Sequence, residues 1–576
     1  MIRFLSNNEL CWNFSISLNA LKSKKKQKKV ALNTFAQDRA LDALELGLGI
    51  KQRGYNIFVV GASGTGRTST VEKILKQRAP KEETPNDLVL LYNFTDRDRP
   101  LAVLLPASYG LKLKKSYDSL MEKSLQNLEA AFETDRFLYS KQLIQEECQK
   151  TTDEALKEIE REANLNSFVL SHSGASITLT PANSKGESLT EKDFEELSDE
   201  EKNILEKKAE KLESLLEESM RKVRQAERES EEDFEILERQ TAKIALSNIF
   251  ETTRNSWKKF SRITEHLSLI EEDILNRIKK FNQDERDANT ENSNEQTKTR
   301  KNRFFEDDDD LDFDEPFFAR YRVNVLVTRI KNSGAPVVFE THPTTSNLIG
   351  KIEQKIKASE TITDFTRIKA GALYKANGGY LILEPQELLR DPAAWDGLKR
   401  ALKNRFIELD DPGEPGRMIT IASLRPEPVE LNLKVILIGT PEIYYMLTKN
   451  DPDFQSLFKV KADFDIEADL SKENLEKYIE FIDSIAQEEN MINLNQSAFA
   501  KIIEQAVRIA GNNKKITCRL GEIADLIREA NYWAQKNKAN FIDALHVKTA
   551  LMAKAKREGF IESQRSEEHT SELQSH

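Results

Sequence analysis

Cysteine is nearly missing from this chain. Its 576 residues hold three, Cys11, Cys148 and Cys518, which are far apart, odd in number and without metal-ligand spacing. That excludes a disulfide framework or a cysteine metal site and leaves reduced, structural thiols. Long apolar runs are also absent. No stretch approaches the length of a membrane span, and Met1 to Asn19 carries only scattered apolar residues, unlike a secretory leader. The membrane is therefore no expected partner, and the expected compartment is the cytoplasm. Positive charge is in deficit, with 86 Lys and Arg against 97 Asp and Glu for a net charge of −11, which argues against specific nucleic-acid binding. A local exception is the run Lys22-Ser-Lys-Lys-Lys-Gln-Lys-Lys29. It reads first as a solvated linker and second as a contact for phosphates or an acidic partner. What is abundant is charge of both signs: 32% of residues are charged and the mean hydropathy is −0.59. That composition suits a soluble protein of several domains with long solvated helices.

One stretch organises the rest: Tyr55-Asn-Ile-Phe-Val-Val-Gly61-Ala-Ser-Gly64-Thr65-Gly66-Arg67-Thr68-Ser69-Thr70. An apolar strand runs into a glycine-rich loop, and a helical pattern opens at Thr68 and continues through Val71, Ile74 and Leu75. Gly61, Gly64 and Gly66 free the backbone to curl so that successive N–H groups face an anion, and the helix N-terminus adds partial positive charge. The phosphate-loop pattern G-x-x-x-x-G-K-[ST] is met except at the lysine, which here is Arg67. The bland alternative is a glycine-rich turn with no ligand.

Before this loop, Asn33 to Ile50 has helical apolar spacing and includes Gln37 and Ala40. After it, Asp87 to Asn93 reads as a second strand. From about Leu111 to Thr299 the pattern becomes long, charged helices, with Leu212, Leu216, Ser219, Val223 and Ala226 at coiled-coil spacing. Ser167 to Thr180 interrupts them as a hairpin. Its Phe168, Val169, Ile177 and Leu179 either serve a partner or form a small satellite core. Asp284 to Asp314 is an acidic return linker. Strands resume at Tyr321–Val327 and Pro336–Glu340. Tyr380–Leu383 is an apolar strand ending on Glu384, followed by Pro385, and Leu433–Gly439 ends on Thr440. Phe454–Phe464 contains Lys459, and a helical module from Ser471 to Lys556 contains Arg519 at a helix start. For Thr440, Lys459 and Arg519 an ordinary surface role stays open. The last twelve residues, Arg565 to His576, have no apolar period and resemble translated sequencing-adapter read-through rather than natural sequence.

Seven segments in order carry a resemblance: Phe35–Leu44, Gly54–Gly61, Gly64–Thr68, Gly334–Glu340, Ala376–Leu383, Ser423–Pro428 and Asp451–Phe454. They resemble the ATPase portion of Lon-like proteases, in the branches named LonB and LonC that carry a helical insertion. The resemblance implies an α/β fold: a P-loop AAA+ parallel-sheet core, a long inserted helical arm with coiled-coil character, and an all-α C-terminal lid. The expected divisions are 1–32, an N-terminal segment with basic linker; 33–110, the first part of the core; 111–300, the arm; 301–319, the acidic linker; 320–470, the second part of the core; 471–564, the lid; and 565–576, the tail. The resemblance places ATP or ADP on Gly61, Gly64, Thr65, Gly66, Arg67, Thr68 and Ser69. Gln37 would stand near the adenine, Thr440 and Arg519 at sensor positions, and Lys459 where a neighbouring subunit's arginine finger is expected. Magnesium would fall to Thr68 and Glu384. Glu384 is one methylene longer than the usual aspartate, and Pro385 stands where a glutamate normally polarises water, so the expected general base is missing. The implied partners are unfolded or damaged protein substrates and further copies of the chain, a hexamer in the full-length protein. The implied serine protease dyad falls on no residue here. Two other readings stay open. One is a nucleotide-binding scaffold that gates substrate without hydrolysis. The other is an SMC-like coiled-coil ATPase, against which stand the short arm, the acidic charge and the helical lid.

Overall fold

The computed structural model describes residues 35–173, 176–182, 199–282, 317–353, 355–357, 360–409 and 424–558. The basic run Lys22–Lys29, Cys11, nearly all of the acidic linker and the 565–576 tail lie outside the described residues. By contact density the chain divides into two compact units, Met1–Leu111 with Asn324–His576, and Lys112–Val323.

In the first unit, helix α1 (Asp38–Gly49) precedes strand β1 (Ile57–Val60), and the glycine loop leads directly into helix α2 (Arg67–Arg78). All four residues of β1 are buried, as a central strand covered on both faces requires. Strands β2 (Asp87–Leu91) and β3 (Leu101–Leu105) follow. After the insertion come β6 (Asn324–Val327), β7 (Val337–Glu340), β8 (Tyr380–Leu383), β9 (Lys434–Gly439) and β10 (Val460–Asp463), the labels β4 and β5 being kept for the insertion's hairpin, Phe168–Ser173 and Ser176–Pro181. The main sheet has the order β10-β1-β9-β8-β7, with every neighbouring pair parallel. A parallel sheet aligns the C-terminal ends of its strands, and ligands collect there. Ile57 faces Ile436 and Val460, while Val60 faces Gly439 and Asp463, so the loop after β1 emerges beside the ends of β9 and β10.

The second strand read from the sequence, β2, does not join this sheet. It pairs antiparallel with β3 and β6 in a separate three-stranded sheet. Its hairpin partner β3 follows after a short connection, whereas a parallel neighbour would need a long crossover. Asp87 anchors this sheet: it is fully buried, and its carboxylate accepts from the N–H groups of Gly110 at 2.8 Å and Arg329 at 2.7 Å.

The helical lid follows β10. Helices Lys472–Glu488, Gln496–Ala510, Leu520–Lys536 and Ala544–Glu558 enclose a core that includes Tyr478, Ile482, Ile502, Ile523 and Ile527. The first two starts have a local cause: Ser471 accepts from the Asn474 N–H at 3.1 Å and Asn495 from the Ala498 N–H at 3.0 Å. Gly511, at φ 67°, closes the second of these helices in the left-handed region. Phe35 joins this core, its ring edge-on to Tyr478 at 5.2 Å.

The second unit is the helical arm. Helices α3 (Tyr109–Phe132), which begins just before the unit boundary, α4 (Asp135–Leu165) and α5 (Asp199–Ser256) dominate it, with Ser261–Asn276 closing it. Helices α4 and α5 run antiparallel: Phe137 meets Phe234 at a ring distance of 6.4 Å, whereas Glu158 approaches Lys222 at 4.0 Å. The coiled-coil stripe is the packed face, with Leu212, Ser219 and Val223 buried. The hairpin β4–β5 forms as expected. Phe168 is buried with Ala163 and Leu212, and Leu170 and Leu179 pack on them, so the satellite-core alternative describes these side chains. The side chain of Ile177 lies outside the described residues.

Candidate nucleotide site

The glycine loop turns between β1 and α2 because Gly64 (φ 82°) and Gly66 (φ 78°) take left-handed conformations that a β-carbon disfavours. Thr65 is buried, and its hydroxyl closes the loop by donating to the Ala62 carbonyl at 2.8 Å. Helix α2 starts one residue earlier than the sequence pattern indicated, at Arg67, so Thr68 and Ser69 lie in its first turn. The first turn of a helix has no intrahelical acceptors for its leading N–H groups, and a glycine loop running into such a turn is the arrangement that receives a phosphate.

Two strand ends lie on the side of the sheet where this loop emerges, and the lid touches the loop. Glu384 ends β8 and is exposed, and Thr440 follows β9 at the start of the helix Pro441–Asn450. From the lid, the N–H of Gly521, in the first turn of the helix Leu520–Lys536, donates to the Gly64 carbonyl at 3.0 Å. A β-carbon on Gly521 would stand 3.1 Å from Gly64 Cα, so that approach requires a small residue. Arg519, two residues earlier, pairs with Glu522 at 3.3 Å. Thr440 donates its hydroxyl to Glu442, which holds that carboxyl below its usual range. Gly521 and Gly439 were missed in the sequence. The signal for Gly521 was a glycine inside the first turn of an amphipathic helix, where alanine would be favoured by about 1 kcal/mol.

The remaining candidates have these partners within the chain. Gln37 is 1% exposed and spends both ends of its amide on the backbone of Asp465, donating to the carbonyl at 3.0 Å and accepting the N–H at 2.8 Å. Asp465 lies between β10 and the lid, so Gln37 ties α1 to the core–lid connection. Lys459 stands at the opposite end of the strands, with its N–H on the Gly54 carbonyl and its ammonium 5.1 Å from the centre of the Tyr55 ring. It does not reach the loop of its own chain. Glu387, the carboxylate next in sequence after Pro385, pairs with Arg390 at 2.8 Å.

Arg67 does not extend into solvent. Its guanidinium donates to the Gly439 carbonyl at the end of β9. Burial weakens its hold on its proton, and the charge of Glu384 acts in the opposite sense. A magnesium ion carried by a nucleotide's phosphates takes one or two protein ligands, the part the sequence expectation gave to Thr68 and Glu384. The Thr68 hydroxyl and the exposed Glu384 carboxylate are oxygen donors of the type such an ion takes, so the residue types present fit it. Among the described residues no group of three or more His, Cys, Asp or Glu side chains is arranged to hold a metal.

A parallel five-stranded sheet with a phosphate-type loop after its second strand in space, a carboxylate and a threonine on neighbouring strand ends, and a helical lid touching the loop define a P-loop ATPase domain of AAA+ type. The family described as LonB-like, AAA domain matches residues 333–465, archaeal LonB AAA+ ATPase LID domain matches 493–557, and Lon-like LonC helical domain matches 87–120. Archaeal Lon protease of Thermoplasma volcanium is 25% identical over 232 residues, and that of Thermoplasma acidophilum is 24% identical over the same length. Each alignment covers 39% of this chain and 34% of the relative, so the chain matches about a third of the length of these relatives. Among solved structures, NtrX from Brucella abortus aligns over 36% of this chain and 43% of its own at 17% identity, with a TM-score of 0.24. The chain carries a Lon-like AAA+ portion.

Proposed function

We propose that this chain binds ATP or ADP between the Gly61–Ser69 loop and the lid, and that it acts as the nucleotide-responsive portion of a Lon-like ATP-dependent protease. In this reading it unfolds or gates protein substrates for a serine-type endopeptidase, within a ring of like chains that is hexameric in the full-length protein. The observation that carries it is the bond from Gly521 to Gly64, which puts the lid directly against the phosphate loop. Lys459, facing away from its own loop, suits a role toward the nucleotide of a neighbouring copy. No residue of this chain is given a part in peptide-bond cleavage.

Turnover is slow or absent in this proposal. Pro385 has no proton-accepting group, and Glu387 is held by Arg390. The same observation favours a second reading, a scaffold whose bound nucleotide fixes subunit geometry without being hydrolysed. Two measurements test both. Equilibrium titration with ADP or ATP is expected to give saturable binding, which Gly521→Val weakens by blocking the lid's approach. Steady-state phosphate release is expected to stay near background, and a rate like that of ordinary AAA+ unfoldases would refute slow turnover. Assembly that responds to nucleotide with no phosphate released favours the scaffold. The SMC-like reading gains no support from the family matches.

A further inference from the structure

A cleft of about 120 Å³ opens at the N-terminal ends of β1, β8 and β9, the end of the sheet away from the phosphate loop. All of its lining belongs to the first unit. Lys51, Arg53, Arg405 and Lys434 line it, and Glu82 is the only acid among the lining residues. That acid is already engaged: it accepts from the Tyr380 hydroxyl at 2.7 Å and pairs with Arg78 at 3.1 Å. No ion pair joins Lys51, Arg53 or Arg405 to another described residue. In a chain with 97 acids against 86 Lys and Arg, such a concentration of uncompensated positive charge runs against the average.

Two of these cations are held by the fold. Lys434 opens β9 and is half-buried, and its ammonium donates to the carbonyls of Ile50 and Tyr55 at 2.7 Å each, which leaves one of its three N–H groups. Both acceptors are neutral, so the charge itself is unbalanced, and burial with the nearby Arg78 pushes the Lys434 pKa down to about 8. Arg405 caps the helix Pro392–Asn404 at φ 61°, its N–H on the Ala401 carbonyl and its own carbonyl taking the Leu431 N–H at 2.7 Å. Glycine or asparagine fills such a left-handed cap with less strain. Strain kept at a position that lines a cleft is a mark of a functional site.

The size and charge of the cleft limit its ligand. Clefts that enclose drug-sized molecules run to about 300–1,000 Å³, so this one suits a small ion or a terminal group. Several cations without a counter-ion favour a dianion over a monoanion, and guanidinium forks match the paired oxygens of a phosphate. We propose that this cleft binds a phosphate dianion, free or as the end of a phosphomonoester, with Lys434, Arg405 and Arg53 as its donors. The site lies across the sheet from the glycine loop and does not rest on the nucleotide-binding reading.

The test is isothermal titration calorimetry of the full chain with sodium phosphate, at constant ionic strength so that screening stays fixed. Saturable binding with a Kd of about 1 mM or tighter is expected, and heat of dilution alone overturns the proposal. Arg405→Gly suits the left-handed cap, so it is expected to keep its Tm while weakening phosphate binding about tenfold or more. Lys434→Met, checked for folding by circular dichroism, is expected to weaken binding likewise. An unchanged Kd in Arg405→Gly overturns the proposal. The glycine loop is itself a phosphate-type site, so Arg67→Ala is titrated as well: a loss there with none in Arg405→Gly places the ion in the loop and also overturns it. Sodium acetate tests the ligand class, and an acetate Kd equal to that of phosphate would rule out the preference for a dianion. Glycerol 3-phosphate separates the two sources. Tighter binding than inorganic phosphate supports the end of a larger molecule, and weaker binding supports the free ion. The nucleotide-binding reading stands or falls separately, by its own titration with ADP or ATP.

Discussion

Replacing Gln37 by leucine separates a structural role from a ligand role. The side chain is 1% exposed, and its amide is the partner of both the N–H and the C=O of Asp465. Leucine has nearly the same volume but offers neither partner, so both backbone groups lose their bonds. Each buried orphan costs about 1–3 kcal/mol. Asp465 is only half-buried, so the lower part of that range applies, and the pair should cost about 2–4 kcal/mol. For a cooperative unit of roughly 300 residues the unfolding entropy is about 0.6 kcal/mol per degree, giving a fall in Tm of about 3–6 °C. The assay is thermal unfolding by circular dichroism without nucleotide, followed by ADP titration at a temperature well below both transitions. The structural role predicts the fall in Tm, with ADP affinity changed little once the folded protein is compared. If Tm shifts by less than about 1 °C while ADP affinity drops, the amide serves the adenine and the reasoning from its bonds to Asp465 is refuted.

Two further perturbations act away from the loop. Asp87→Ala removes a fully buried carboxylate that accepts two backbone N–H groups and balances the half-buried charge of Arg329; the expected loss is about 3–5 kcal/mol, read as a Tm drop larger than that of Gln37→Leu, and Asp87→Asn should recover part of it. Lys434 donates to the carbonyls of Ile50 and Tyr55, and burial pushes its pKa down to about 8, with Arg78 adding to the effect. Because the unfolded lysine holds its proton more tightly, the folded state is penalised at and below pH 8, and the penalty lifts as pH rises toward the ordinary lysine value. The Tm of the wild type minus that of Lys434→Met should therefore increase between about pH 8 and pH 10. A flat or falling difference would mean that the ammonium is not disfavoured by its surroundings.

Much of the candidate site could be read before any coordinates. The loop from Gly61 to Ser69, the strand ends at Glu384 and Thr440, and the helix start at Arg519 follow from patterns local to a few residues: an apolar run, glycines needing positive φ, a capping position. The hairpin at Phe168 was equally local, since alternation and a turn suffice to form it. What it faced was not local. Whether Phe168 met a partner or the chain itself depended on α5, which returns past it after an intervening stretch, and the buried contact with Leu212 decides that. The membership of β2 was undecidable for the same reason. Five apolar residues fit a parallel or an antiparallel sheet equally, and the choice was made by the neighbours β3 and β6.

By itself the sequence determined which segments could be strands and helices, where the phosphate loop lay, and that its cation was an arginine, because these depend on side-chain type and short-range backbone preference. Only the tertiary structure decided what those residues do with their charges and amides. Gln37 and Asp465 are joined across more than 400 positions, Gly521 is brought to Gly64 by the packing of the lid, and Arg67 finds Gly439 because β1 and β9 lie side by side. Such pairings are set by burial of the whole sheet and lid, a sum over many weak contacts that no short stretch of sequence contains.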